Sequence, residues 1–384
     1  MSAAAGPETE ALVPEADRVG DFPHPRETSS LSGHESAEEA FLKALGSGRL
    51  HHAWLLAGPQ GIGKATLAYR FARFLLKHGS GPAAGEASSL DVSRDDPVFR
   101  QVAALAHPGL LVLRRAWQSR GKRHAQAITV DEARRLRAFF GHTASGGRWR
   151  VVIIDSADDL NVSAANAVLK SLEEPPENCV FLLVSATPGR LPVTIRSRCR
   201  LLRLQALDDA RSREVVLGVH AAAHMPLPDE AVLEQSVALA QGSPGTALRL
   251  LAGDGVAIYE SVCRLLEQMP DPDYGPAHDL AATVTGARND ERYGLFHAVL
   301  SDLLQRLISH VATGRALPRR EEAIAARLIT TDSLAQWAAL WETLQRDKAQ
   351  GDTLNLDRKA LVLDCLFRID ALSRHSQVGG RPSR

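Results

Sequence analysis

The sequence predicts an α/β domain built on a parallel sheet, followed by an all-helical half. Three observations carry this. Short apolar runs recur between helical patterns as far as about residue 206 and then stop. Continuous apolar strands separated by amphipathic helices are what a parallel sheet covered on both faces requires. A glycine-rich loop also joins the first run to the first long helix, the context of a phosphate-binding turn.

The elements follow in order. The opening 20 residues, "MSAAAGPETEALVPEADRVG", have no basic region leading into an apolar stretch, so they read as a flexible acidic tail and not a secretory signal. "AWLLA" (53–57) is the first strand, and the helix after it sets Leu67, Phe71, Phe74 and Leu75 on one face. Residues 77–106 are rich in Gly, Ala, Ser and Asp and read as a long surface excursion. "GLLVL" (109–113) and "VVIID" (151–155) are strands, with the helix "VDEARRLRAFF" (130–140) between them. The helix "SAANAVLKSLEE" (163–174) is stopped by Pro175 and Pro176, which cannot continue it. "FLLVS" (181–185) and "LLRLQ" (201–205) complete the sheet.

Three short helices then carry "DDARSREVVLGVHAAA", "DEAVLEQSVALAQ" and "SPGTALRLLAG". From about 255 to 373 the stripes of "YGLFHAVLSDLLQRLISHVA" and "SLAQWAALWETLQRDKA" suit helix-on-helix packing. Trp337 and Trp341 sit there at helical spacing and mark core or a subunit interface. The domain division expected is a tail (1–20), a nucleotide-binding domain (21–206), a helical lid (207–253), a helical domain (254–375) and a second tail (376–384).

Composition excludes several functions. The 384 residues carry no formal net charge, so no global field draws the chain to nucleic acid or a lipid surface. None of the four cysteines lies in a C-x-x-C pair, so neither a zinc site nor a disulfide framework is expected, which suits a reducing cytosol. No run of about 18 apolar residues is present.

Chemistry concentrates in three places. In "GPQGIGKAT" (58–66), Gly58, Gly61 and Gly63 let the backbone approach a phosphate, and Lys64 reaches its outer oxygens. Ala65 stands where a hydroxyl normally binds Mg²⁺, and Thr66, one residue on, is rotated by about 100°. Asp155 ends an apolar strand as a Mg²⁺-holding acid does, but Ser156 follows it and is no general base near neutral pH. A missing base costs about 10²–10⁴-fold in rate. Asp158 and Asp159 read as a solvated turn or helix cap. In "LPVTIRSRCR" (191–200), Arg198 reads from spacing alone as a surface arginine at the edge of the sheet domain. His51 and His52 have no third ligand nearby and read as packing at the strand start; Arg134, Arg135 and Arg137 read as a solvated helix face.

Together these residues resemble the AAA+ clamp-loader family and, within it, the delta-prime branch of bacterial DNA polymerase III. "GRLHHAWLLAGPQGIGKATLAYR" is similar to its strand and phosphate loop, and Ala164 to Pro176 is similar to its Leu-Glu-Glu-Pro-Pro block. The resemblance is strong from Phe22 to Leu207 and looser beyond. It implies a RecA-like AAA+ P-loop domain, a small helical lid and an all-α C-terminal collar. It implies that Ser185 occupies the γ-phosphate-sensing position and that Arg198 is inserted into a neighbour's ATP site. Motor subunits of this family carry Asp-Glu at the end of the strand that corresponds to "VVIID" and a lid arginine; here Asp155-Ser156 and Gly245 stand there, and Arg249 is one turn later. "HPGL" (107–110) has Gly109 where relatives have aspartate. Many delta-prime proteins have a four-cysteine zinc module after the loop helix; residues 76–106 contain no cysteine, so no zinc is expected.

The implied protein is a cytoplasmic subunit of the polymerase (nucleotidyltransferase) holoenzyme. It binds ATP with Mg²⁺ weakly or not at all and turns over little. Its implied partners are gamma/tau motor subunits and delta and, through the complex, the sliding clamp and primer-template DNA, with no membrane. An active motor ATPase and an unrelated P-loop module are the alternatives.

Overall fold

The computed structural model describes residues 15–118, 123–141, 149–286, 290–354 and 356–378. The chain divides into two compact units, Met1–Asp229 with Val237–Leu248, and Glu230–Ser236 with Arg249–Arg384. The boundary runs through 207–253, so the segment expected as a separate lid is shared between the two units.

The first unit contains α1 (Glu35–Gly46), β1 (Ala53–Ala57), α2 (Lys64–His78), α3 (Pro82–Gly85), α4 (Pro97–Ala103), β2 (Leu110–Leu113), β3 (Trp117–Gln118), β4 (Arg123–His124), α5 (Val130–Gly141), β5 (Arg150–Ile154), α6 (Val162–Glu173), β6 (Cys179–Ser185), α7 (Val193–Arg196), β7 (Arg200–Arg203) and α8 (Asp209–Ala222). Five of the described strands form one parallel sheet in the order β2-β5-β6-β1-β7, and β3 and β4 form a small antiparallel pair. Alternate side chains leave opposite faces of a strand. Trp54 and Leu56 therefore join α1 and α2 residues such as Phe41 and Phe71, while Ala53 and Leu55 join α6 residues such as Val168 and Leu172. Both faces are covered, which is why these strands are continuously apolar. Parallel strands put all their carboxyl ends on one edge. Ala57 pairs with Ser185 and Leu183 with Ile154, so the loops after β1, β5 and β6 open side by side. Such an edge is where ligands bind in open α/β sheets.

Three sequence expectations change here. Residues 77–106 are not a surface excursion: Leu90, Val92, Phe99 and Val102 are all buried in the β1–α2 core. Arg73, 1% exposed, lies over the Phe99 ring at 4.4 Å and donates to the carbonyls of Arg26 (2.8 Å) and Thr28 (2.7 Å). Isolated apolar residues without periodicity gave no warning of this. Nor does the tail extend to residue 20. Asp17 pairs with Arg114 at 2.8 Å and His24 at 2.9 Å, and Glu15 with Arg26 at 2.8 Å, so residues 15–20 lie on the domain. Residues 1–14 of that tail and 379–384 of the other lie outside the described residues. The C-terminal helix runs through 378, past the expected boundary at 376.

α9 (Glu230–Ala240) and α10 (Pro244–Ala252) each cross the unit boundary. The second unit continues with α11 (Gly255–Gln268), α12 (Gly275–Thr285), α13 (Asp290–Thr313), α14 (Arg319–Leu328), α15 (Leu334–Leu354) and α16 (Arg358–Val378). α13 packs against α11, α12, α14 and α15. Inside lies a buried ion pair: Arg306 donates to Glu321 at 2.9 and 2.8 Å, and the Tyr259 hydroxyl donates to the same carboxylate at 2.9 Å. Trp337 is buried, and Trp341 Nε1 donates to the Ser301 carbonyl at 3.1 Å. No helix among the described residues is long and apolar enough to cross a membrane.

Candidate functional site

The loop after β1 takes the form its glycines permit. Gly61 and Gly63 have φ of +81° and +106°, a region in which other residues are strained. Lys64 opens α2, whose first-turn N–H groups lack intrahelical partners and suit an anion. The lysine is 5% exposed and turned back on the loop, donating to the carbonyls of Gly58 (2.7 Å) and Pro59 (2.6 Å). Burial brings its pKa down to about 8, against the opposing pull of Asp155 and Asp158. Ala65 and Thr66 follow, both half-buried.

The start of α10 sits directly on this loop. Gly245 N–H donates to the Gly61 carbonyl at 2.8 Å, and the Thr246 hydroxyl donates to the Gln60 carbonyl at 3.4 Å. A Cβ on Gly245 would lie 2.9 Å from Gly61 Cα and 3.0 Å from its oxygen. Position 245, where the resemblance implies an arginine in motor subunits, thus has no room for a methyl group unless Gly61 shifts. Arg249, the neighbouring candidate, is half-buried, its pKa lowered by burial with Asp302 as the opposing charge.

The acidic side differs from the sequence reading. Asp155 lies at the end of β5, where burial first and the Asp17 charge second push its carboxyl up to about 7. Asp158 is not a solvated turn. It accepts from the Ser185 hydroxyl (2.6 Å), the Ala186 N–H (2.6 Å) and the Ser156 hydroxyl (3.2 Å), tying the exits of β5 and β6 together. Ser185 is fully buried, and its hydroxyl is committed to that carboxylate. Asp159 pairs with Arg115 at 3.1 Å. Only the register that sets β5 beside β6 brings 158 to 185, so no local signal marked it.

The residues fit an anion better than a metal. The glycine loop and Lys64 remain, but Ala65 offers no side-chain ligand. No group of three or more potential metal ligands occurs among the described residues.

Arg198 lies elsewhere. Arg200 pairs with Trp54, so the segment leading into β7 lies at the amino ends of the strands, while the phosphate loop leaves their carboxyl ends. The structure therefore separates Arg198 from the chain's own loop by the length of the sheet. Its guanidinium is exposed at the surface, donating to the Thr194 carbonyl at 2.9 Å and pairing with Glu173 at 2.8 Å. The Cys199 thiol, half-buried, is pushed up to about 12 by burial and is no nucleophile.

The remaining candidates are structural. The His51 and His52 rings stack at 4.6 Å and meet main-chain carbonyls of Ala53 and Leu172. Arg134 and Arg135 are exposed and pair with Asp131 and Glu132 one turn back. At Gly109 a Cβ would lie 2.8 Å from the Trp149 carbonyl, which leaves no space for an aspartate.

Residues 33–208 match the family model described as DNA polymerase III, delta subunit. The chain is 38% identical to DNA polymerase III subunit delta' of Pseudomonas aeruginosa over 60% of its own length and 66% of that protein. It is 28% identical to delta' of Escherichia coli over 86% of its length and 92% of the relative's. With E. coli subunit tau it shares 32% identity over 64% of its length and 36% of tau. The chain thus spans just under two thirds of the first relative and about a third of tau. A gamma-subunit-related protein of Thermotoga maritima aligns over 88% of this chain and 99% of its own at 17% identity, with a TM-score of 0.43 that adds nothing to the topology above.

Proposed function

Because the chain belongs to the AAA+ clamp-loader family, close to its delta-prime members, we propose that it is the weakly hydrolysing or non-hydrolysing subunit of a DNA polymerase III clamp loader and lends Arg198 to a neighbour's ATP. The observation that carries this reading is the separation of Arg198 from the chain's own phosphate loop. An arginine at the far edge of the sheet has no use for its own nucleotide but is exposed to another subunit's. Such an arginine stabilises phosphoryl-transfer charge and is worth about 10³–10⁵ in rate. Its charge acts only where a γ-phosphate is held next door, so hydrolysis reports correct assembly. The chain's own site lacks the base after Asp155 and the lid arginine, and its loop is covered by Gly245. The partners in this reading are gamma/tau-type motor subunits and delta in the cytoplasm, with the sliding clamp and primed DNA reached through the complex.

The test mixes the chain with the motor subunit from the same genome, checks co-elution, and assays ATP hydrolysis with wild type and Arg198→Ala. Assembly is retained and clamp-stimulated hydrolysis falls. Normal hydrolysis with the variant refutes the trans role. The identity with tau and the retained Lys64 favour a second reading, an active motor. Stand-alone hydrolysis abolished by Lys64→Ala would select it.

A further inference from the structure

We propose that Glu173 is a positioning residue for Arg198, holding its guanidinium in advance for a phosphate presented by a neighbouring subunit. The inference rests on the reading of Arg198 given above.

Glu173 is the last residue of α6, immediately before the stop imposed by Pro175 and Pro176. The carboxyl end of a helix is where the macrodipole disfavours a negative side chain. Here a cation compensates: Glu173 Oε1 lies 2.8 Å from Arg198 Nη2. The other terminal nitrogen, Nη1, donates to the Thr194 carbonyl of α7 at 2.9 Å and meets the Ser197 hydroxyl at 3.5 Å. Two elements thus grip the two ends of one planar fork, α6 through a carboxylate and α7 through a carbonyl. A guanidinium has five N–H donors, so these contacts leave others for phosphate oxygens.

The pair is not explained by stability. Side-chain exposures are 36% for Arg198 and 43% for Glu173, and exposed ion pairs contribute little to a fold. Its value lies in order. An unrestrained arginine loses rotamer freedom when it docks, and holding it beforehand removes that cost from the reacting complex. Solvent screening at this exposure limits how far the carboxylate cancels the charge the phosphate needs.

The test is a double-mutant cycle in the assembled complex with the motor subunit and ATP. Glu173→Ala lowers kcat about 1.4- to fivefold, the range of an exposed ion pair converted to rate, and leaves KM unchanged. Glu173→Gln keeps an acceptor oxygen and recovers most of the loss. In an Arg198→Ala background, Glu173→Ala has no further effect, because Glu173 acts only through the arginine. Co-elution and melting curves check assembly and folding of each variant. Unchanged or faster hydrolysis in Glu173→Ala, or the same fractional loss in both backgrounds, overturns the positioning role. If Arg198→Ala alone changes nothing, the trans-arginine reading falls first and this inference with it.

Discussion

Replacing Gly245 by alanine tests whether the contact from the start of α10 holds the phosphate loop. The added methyl would meet Gly61 Cα at 2.9 Å, against about 3.5–4.0 Å for ordinary carbon contact. Absorbing that overlap within a packed contact costs about 1–3 kcal/mol. Releasing the 2.8 Å bond from Gly245 N–H to the Gly61 carbonyl costs about 1 kcal/mol. Release costs no more than absorption even with the weaker Thr246 bond included, so the start of α10 opens more often while the sheet stays folded. A local destabilisation of about 1–2 kcal/mol raises the open population about five- to thirtyfold. Hydrogen exchange followed by mass spectrometry should show that acceleration in peptides covering 58–64 and 243–248, with the β-strand peptides unchanged. Gly189→Ala is the control, since its Cβ would meet nothing within 4 Å. Identical exchange in wild type and Gly245→Ala would mean that the contact does not hold the loop.

Three further perturbations follow from the structure. With Lys64 near pKa 8, the charged fraction falls about tenfold between pH 7 and pH 9. Affinity for pyrophosphate or a fluorescent ATP analogue should fall with it, and Lys64→Arg should flatten the profile; a flat wild-type profile would remove Lys64 from anion binding. Glu321→Ala strands the buried Arg306 and should cost about 3–5 kcal/mol, whereas replacing both residues by apolar ones costs less. Urea titration read by tryptophan fluorescence measures this, and equal losses would refute the pairing argument. His297 is held neutral by burial at about 4, below its ordinary 6.5. The unfolded state binds the extra proton between those values, so stability is complete above pH 6.5 and falls as pH drops toward 4, by up to about 3 kcal/mol. His297→Phe should flatten that acid limb in thermal melts, and an unchanged slope would assign it to other groups.

Local chemistry made much of this protein legible. The five strands, the glycine loop, Lys64 and the helix stop at Pro175 follow from period, backbone freedom and ring closure, all properties of a few adjacent residues. The family block around Arg198 was equally readable, and so were the departures at Ala65, Ser156 and Gly245. Other features depend on residues far apart in the chain. Asp158 reaches Ser185 only because β5 and β6 are neighbours in register. Glu15 and Asp17 read as tail until Arg26 and Arg114 are seen beside them. Leu90 and Val92 read as loop until α2 supplies the surface they bury against.

The sequence by itself determined the five strands of the main sheet, the glycine loop between β1 and α2 and the helix stop before Pro175, because those are short-range choices of residue type. Only the tertiary structure decided that Gly245 closes on Gly61, that Ser185 is taken up by Asp158, and that Arg198 faces away from its own loop. Each of these is a hydrogen bond or a strand order between segments distant along the chain, and packing, not local preference, selects them.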